Sequence, residues 1–455
     1  MATNNTKIAI IGSGFIGIST AYYLCLKHNL SNVFLIDIRN PMSFTSSQSG
    51  ENYRNWWPHP SMVDLMNRSI DLLENLVEIT GNRKNISRRG YVLSTRESNI
   101  RDLIDQLRFG LGSKSSSLIR YHKKFNKNNY VANSNYDFLD KPDGVDVLQD
   151  QKLIQTNFPS FSKDIKTILH IRKGGQINSQ QIAEFMMNFC KSNGHKRIKG
   201  EVKSINLTDH YTLQLQTESG MQSICVDKIV NAAGPYSDKV AEMLDIKLPI
   251  FNILQQKIAF PDHLKAIPRD MPFSIDLDKQ SIDWSSDEKE IILTDPDLCF
   301  LAKQLPGAVH CRPEGEGDSQ WLKLGWAYST EKMNISRKPE LHKYFPEIVL
   351  RGAAQLNPAL KKYYGKLPKN FVHYGGWYTM TNENWPLIGP MVKEGAFVNS
   401  AFSGFGTMAA CAAGELCAAW VTESTLPKYA NNFSLNRYKN SSLMKTLNKI
   451  NRGIL

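Results

Sequence analysis

The chain has 455 residues, 41% hydrophobic and 22% charged, and its 55 lysines and arginines exceed its 43 aspartates and glutamates for a net charge of +12. That is the composition of an ordinary globular protein, and at this length two connected domains are expected rather than one small core. The basic surplus falls in scattered short clusters (Arg83-Lys84, Arg88-Arg89, Lys361-Lys362) with no arginine-rich arm, zinc spacing or RNA-binding signature, so no nucleic-acid partner is expected. The same charge would suit anionic substrates or an anionic membrane surface. Seven cysteines without a repeating spacing make no disulfide framework and point to a reducing compartment. No metal site is expected, and no apolar run is as long as a membrane span. The polar start Met1 to Thr6 leads straight into an apolar strand, so no signal peptide is expected and the predicted location is cytoplasmic.

In chain order, Lys7 to Ile11 reads as a buried parallel strand. It is followed by Gly12-Ser13-Gly14-Phe15-Ile16-Gly17, then Ile18 to Leu24 at helical spacing, then the apolar run Val33 to Ile36 ending on Asp37. Strand, glycine turn, helix, strand and acid follow in the order of a dinucleotide site. Gly12 permits the tight turn, Gly14 the approach of a pyrophosphate, and Gly17 close helix packing. Phe15 and Ile16 open the helix whose N-terminus faces the phosphates. Asp37, with Ile38 and Arg39 beside it, is placed to bind a ribose. The loop alone does not separate NAD from FAD.

Thr45 to Gly50 is rich in hydroxyls, and Ser46, Ser49 and Gly50 are assigned to the cofactor. Arg54, Trp56 and Trp57 follow. The tryptophans either bury in a domain junction or, with Arg54, face a substrate. Met62 to Ile79 has the apolar spacing of a helix, and Gly90 to Leu93 reads as a strand. The stretch from 95 to 170 reads as helices and loops. Gln181 to Asn193 is a helix capped by Asn178 or Ser179, and the strand Lys199 to Ile205 carries Val202, which is assigned to the cofactor. Lys228 to Asn231 is a buried strand ending in Ala232-Ala233-Gly234, where small residues allow a close backbone approach to the cofactor.

Gln255 to Phe260 and the pair His310 to Pro313 and Trp321 to Trp326 read as strands, the pair joined by the acidic turn Glu314 to Asp318. By alternation alone, Lys323 is a solvent-facing lysine on an edge strand. Finally Ser403-Gly404-Phe405-Gly406-Thr407 precedes a small-residue helix, Met408 to Val421. Two glycine-bearing helix starts from opposite ends of the chain suggest one cofactor clasped by both.

Four stretches together (Gly12 to Gly17 with Asp37; Thr45 to Gly50; Val230 to Gly234; Tyr378 to Gly389 with Ser403 to Gly406) resemble the FAD-dependent D-amino-acid oxidase superfamily, in particular its sarcosine and pipecolate oxidase-like branch. The resemblance spans residue 7 to about 422. It implies an α/β fold, a Rossmann-type FAD-binding domain interleaved with a substrate domain built on a mixed, largely antiparallel sheet. The FAD-binding domain would take residues 1–90, 170–245 and 371–425; the substrate domain 91–169 and 246–370; and a C-terminal helical tail 426–455.

The implied activity is oxidation of the C–N bond of a small amino acid or N-methylated amine, with hydride passing to flavin N5 and the imine then hydrolysing. The electron acceptor would be O2 or a carrier. The resemblance raises Lys323 to an active-site residue over the flavin, with Arg54 and Trp56 as the other catalytic candidates. The sequence departs from the branch in five places. Gly376 replaces the cysteine that bonds flavin, so FAD is expected to be non-covalent. Ser49 lies where related dehydrogenases often have a histidine, Ala327 replaces a histidine and Met408 a carboxylate-binding lysine, and Arg54 is offset by one position. The substrate therefore does not carry over. Two other readings stand beside this one: a flavin-dependent tRNA-modifying oxidase, and a FAD-binding subunit of a larger dehydrogenase.

Overall fold

The structure is a computed structural model that describes residues 5–82, 85–123, 130–131, 141–315 and 319–450. Five of the expectations therefore fall partly or wholly outside it: residues 1–4 of the polar start, the Arg83-Lys84 cluster, residues 124–129 and 132–140 of the stretch from 95 to 170, residues 316–318 of the acidic turn, and the last five residues of the tail.

Ile8–Ile11 lies between Val33–Asp37 and Lys228–Asn231, parallel to both, and all four of its residues are buried. A parallel strand covered on both faces has no polar side to show, which explains its unbroken apolar run. The full sheet has eight strands. Its order is Gly220–Val226, Tyr211–Thr217, Lys196–Leu207, Val33–Asp37, Ile8–Ile11, Lys228–Asn231, Ala396–Ser400 and Leu387–Pro390. Ala396–Ser400 reaches it from the far end of the chain, pairing Val230 with Phe397. The helix Phe15–His28 packs against Gly406–Thr422, where Ser19 Oγ donates to the Ala410 carbonyl at 2.7 Å. The approach is so close that a Cβ on Gly414 would stand 2.3 Å from Ser19 Oγ, which is why this helix is made of small residues.

A second, nine-stranded sheet forms the other layer, in the order Val372–Met380, Phe251–Pro261, Trp321–Trp326, Val309–Pro313, Phe273–Asp276, Tyr91–Thr95, Thr167–Ile171, Val145–Leu148 and Ile119–His122. Most of its joints are antiparallel, and two are parallel. A Rossmann-type sheet and a mixed sheet make up the expected fold class.

Two expectations are corrected. The stretch from 95 to 170 holds helix Arg101–Leu111, but it also supplies the last three strands of this sheet. Val145–Leu148 and Thr167–Ile171 are short and buried on both faces, so they lack the alternation that would reveal them. Trp321–Trp326 is not an edge strand either, because it lies between two others. The helices 62–79 and 181–193 are found as Pro60–Thr80 and Ser179–Ser192, the latter capped by the Asn178 side chain. A small sheet of Asn52–Arg54, Gly174–Ile177 and Ile86–Ser87 carries Arg54. The tail includes helices Ala430–Phe433 and Ser441–Lys449 and is anchored by the buried ion pair of Arg437 with Glu383 at 2.5 Å.

Candidate active site

Backbone conformation builds the first part of the site. Gly12 has φ +112°, and a Cβ there would stand 2.2 Å from the Ala232 carbonyl oxygen. A Cβ on Gly17 would stand 2.0 Å from the Gly12 carbonyl oxygen, so both positions demand glycine. Asp37 holds the turn from across the sheet. Its Oδ2 accepts from Ser13 N at 2.7 Å and Ser13 Oγ at 2.9 Å, and its Oδ1 accepts from Arg39 N at 2.9 Å. Ser46 Oγ accepts from Phe15 N at 3.1 Å, tying the hydroxyl-rich segment to the helix start. Ser49 Oγ meets Thr407 Oγ1 at 2.7 Å, which joins that segment to helix Gly406–Thr422 across 358 positions of sequence.

These groups enclose a cavity of about 1040 Å³. Of the predicted cofactor residues, Gly12, Gly14, Phe15, Ile16, Asp37, Arg39, Ser46, Ser49, Gly50, Ala232, Ala233, Gly234, Gly404, Gly406 and Thr407 line it. Ile38 and Val202 line an adjoining cavity of about 810 Å³ that shares Gly12, Asp37, Arg39 and Ala233 with the first. Gly17 lines neither and serves packing. Phe405 turns away, its ring 4.8 Å from that of Trp57. The buried Thr45 hydroxyl on the cavity wall has no hydrogen-bond partner among the described residues. A cavity with a glycine cradle, a helix N-terminus and a hydroxyl left unpartnered among the described residues fits a dinucleotide.

A second pocket opens from the same wall, with Ser49, Gly50, Lys257, Tyr378, Ser403 and Gly404 common to both. Gly404 is required there, because a Cβ would stand 2.5 Å from the Tyr378 ring. Arg54 is 2% exposed, donates Nη1 to the Tyr91 hydroxyl at 2.7 Å and Nε to the Trp56 carbonyl at 3.2 Å, and stacks 4.6 Å from the Trp57 ring. The guanidinium is thus oriented by a strand of the small sheet and by aromatic neighbours on two other elements. Trp57 lines the pocket, and its indole N–H has no hydrogen-bond partner among the described residues. Trp56 is equally buried but packs beneath, against Gly110, and does not reach the pocket.

The expected lysine does not reach it either. Lys323 lies 2.9 Å from Glu314 Oε2, while Arg312 lies 2.6 Å from the same oxygen. Burial and Arg312 outweigh Glu314 and hold the Lys323 ammonium down at about 8. Burial alone would raise the Glu314 carboxyl, but the two cations hold it below its usual range. Lys323 is therefore half of a buried ion pair, and no part of it lines either cavity.

The lysine that does face both cavities is Lys257, on Phe251–Pro261. It is 4% exposed, and burial lowers its ammonium to about 8. His310, on the same face of the sheet, is kept neutral, its pKa lowered to about 3 by burial and by Lys257. Sequence reading found the strand of Lys257 but not its lysine, since alternation shows which residues share a face and not what covers that face. Ala327 and Met408, where the resemblance marks departures, both line the second pocket.

Residues 7–420 match the DAO family of FAD dependent oxidoreductases. The chain belongs to this family. FAD is accordingly its dinucleotide, and it is an FAD-dependent oxidoreductase. No curated protein sequence matches it. Among solved structures it is similar to L-proline dehydrogenase from P. horikoshii, with a TM-score of 0.69 and 18% identity over 96% of this chain and 98% of that one. It is also similar to glycine oxidase from Geobacillus kaustophilus, with a TM-score of 0.68 and 15% identity over 95% and 98%. A third is iminodiacetate oxidase from Chelativorans sp. BNC1, with a TM-score of 0.64 and 16% identity over 94% and 98%. At these identities the likeness is one of fold. Among the described residues of this DAO-family chain, no helix is long and apolar enough to cross a membrane, and no cysteine lines the cavity at the glycine cradle.

Proposed function

We propose that this DAO-family enzyme oxidises the C–N bond of a small amino acid or N-methylated amine. The observation that carries the reading is the buried guanidinium of Arg54 in an aromatic pocket that shares a wall with the FAD cavity. When bound, FAD supplies the two-electron acceptor for a hydride leaving the carbon next to nitrogen, and the imine product hydrolyses in water.

The protein's part is binding, orientation and exclusion of water. Arg54, fixed by Tyr91 and by the Trp56 carbonyl, is preorganised for a bidentate contact with a carboxylate. Trp57, Phe273, Tyr378 and Phe405 keep the pocket apolar around it, which strengthens that contact and favours a neutral amine. His310 stays neutral and adds no repulsion toward a substrate nitrogen. No basic group is required for hydride loss from a neutral amine. The proline, glycine and iminodiacetate enzymes of similar fold are named for amino- or imino-acid substrates, which agrees with this reading.

The test is anaerobic bleaching of the bound flavin by a panel of D-, L- and N-methyl amino acids. At least one should reduce it rapidly, and Arg54→Ala should raise KM for that substrate roughly a hundredfold through loss of the charge-assisted contact. Unchanged kinetics would remove Arg54 from the site. A flavin that no amine reduces would remove the reading altogether.

A further inference from the structure

The second pocket holds two buried cations at opposite ends of one aromatic wall. Arg54 donates to the Tyr91 hydroxyl; the Tyr91 and Phe273 rings lie 4.5 Å apart, and the Phe273 and His310 rings 5.1 Å. His310 and Lys257 flank Gly325 from the strands on its two sides, so Lys257 closes the far end of the row. Three rings thus separate the ammonium from the guanidinium, and both cations line the same space.

The two ends are satisfied differently. Arg54 is held by a hydroxyl, a carbonyl and two ring faces. Around Lys257 the described residues offer one backbone carbonyl, of Gln48 at 3.4 Å, and the Tyr378 ring centroid at 5.5 Å. No carboxylate is paired with it, and burial alone accounts for its weakened proton affinity. Lys323, two residues out of step on the adjacent strand, already has Glu314. One carboxylate, Glu51, does lie on the pocket wall, but its Oε1 accepts from Ser179 N at 3.0 Å and Ser179 Oγ at 2.7 Å and so caps a helix. A buried ammonium without a counter-charge is a standing destabilisation that an anionic ligand group relieves.

We infer that the pocket selects an amino acid carrying a second acidic group, an amino dicarboxylate, with one carboxylate on Arg54 and the other on Lys257. The inference rests on the amine-oxidation reading above and narrows its substrate class.

The test uses the holoenzyme and charge-matched pairs: both enantiomers of aspartate and glutamate and their N-methyl forms, each beside the corresponding amide, asparagine or glutamine. In anaerobic reduction the favoured acid should bind roughly ten- to a hundredfold more tightly than its amide, the range of one charge-assisted contact. Lys257→Met, with bound flavin verified from the visible spectrum, should erase that preference while leaving the amide's affinity in place. A second readout is independent of turnover: glutarate should perturb the flavin band at lower concentration than butyrate, and this difference should vanish in the same variant. If an amide or a neutral amino acid reduces the flavin as well as any acid, the dicarboxylate inference falls while amine oxidation stands. If Lys257→Met affects acid and amide alike, the lysine serves the flavin instead, and the inference also falls. If no amine reduces the flavin, the underlying reading fails first and takes the inference with it.

Discussion

Lys257 and Lys323 stand on neighbouring strands of one sheet and on the same face of it, since Lys323 pairs with Ala259, two residues beyond Lys257. Both are buried, and both ammonium groups are lowered to about 8. Yet one is locked into a cluster with Arg312 and Glu314, and the other faces two cavities with no carboxylate paired to it among the described residues. The same residue type at nearly the same depth becomes scaffold in one place and a candidate binding group in the other. What separates them is a single acidic neighbour, contributed by the loop after Val309–Pro313. A further contrast divides the glycine cradle, made of backbone and small residues, from the second pocket, made of side chains drawn from distant elements.

The largest effect is expected where the cradle has no slack. Gly12→Val puts branched carbon into the Ala232 carbonyl at a φ of +112° and should yield protein with no visible flavin spectrum. Stoichiometric flavin in that variant would show that the cradle can yield as the pocket can. Next, Glu314→Gln strands two buried cations and should destabilise by about 3–5 kcal/mol in chemical denaturation. A loss under about 1 kcal/mol would mean that Lys323 is no more committed than Lys257.

The third effect concerns pH. Lys257 has a folded pKa of about 8 against an ordinary value of 10.5, so between these pH values the unfolded chain binds more protons and stability must rise with pH. Lys257→Met removes this term, so the wild type should gain about 3 kcal/mol relative to the variant across that window. A constant difference would show that Lys257 is compensated after all. The smallest effect belongs to the hydroxyl bridge: Ser49→Ala should cost about 1 kcal/mol, read from the thermal midpoint.

Legibility follows the same division. The turn at Gly12, the acid at Asp37 and the second glycine start at Gly404 could be read directly, because a backbone that must approach a pyrophosphate admits few residue types. Arg54 could be read as unusual, and the structure puts it in the pocket. The choice between Trp56 and Trp57 could not, since adjacent residues on an irregular segment face different ways without any period to announce it. Lys323 reads as a solvent-facing edge residue by alternation and as a flavin-facing one by resemblance; the structure shows neither, because strands flank it on both sides, one of them distant in sequence, and Glu314 engages its ammonium. Lys257 was passed over because it stands in an ordinary strand, and its lack of an acidic partner is a property of the assembled fold. The strands between 119 and 171 escape a sequence reading for local reasons: Val145–Leu148 and Thr167–Ile171 are short and buried on both faces, and Ile119–His122 is only four residues long.

The contact of Ser49 with Thr407, and the seating of Phe15–His28 against Gly406–Thr422, carry a consequence for biosynthesis. A ribosome must release nearly the whole polypeptide before the coenzyme has anywhere to settle. The nascent chain therefore emerges without its pigment, and a premature stop ahead of residue 396, which deletes a strand of the eight-stranded sheet as well as helix Gly406–Thr422, should leave a product that never colours.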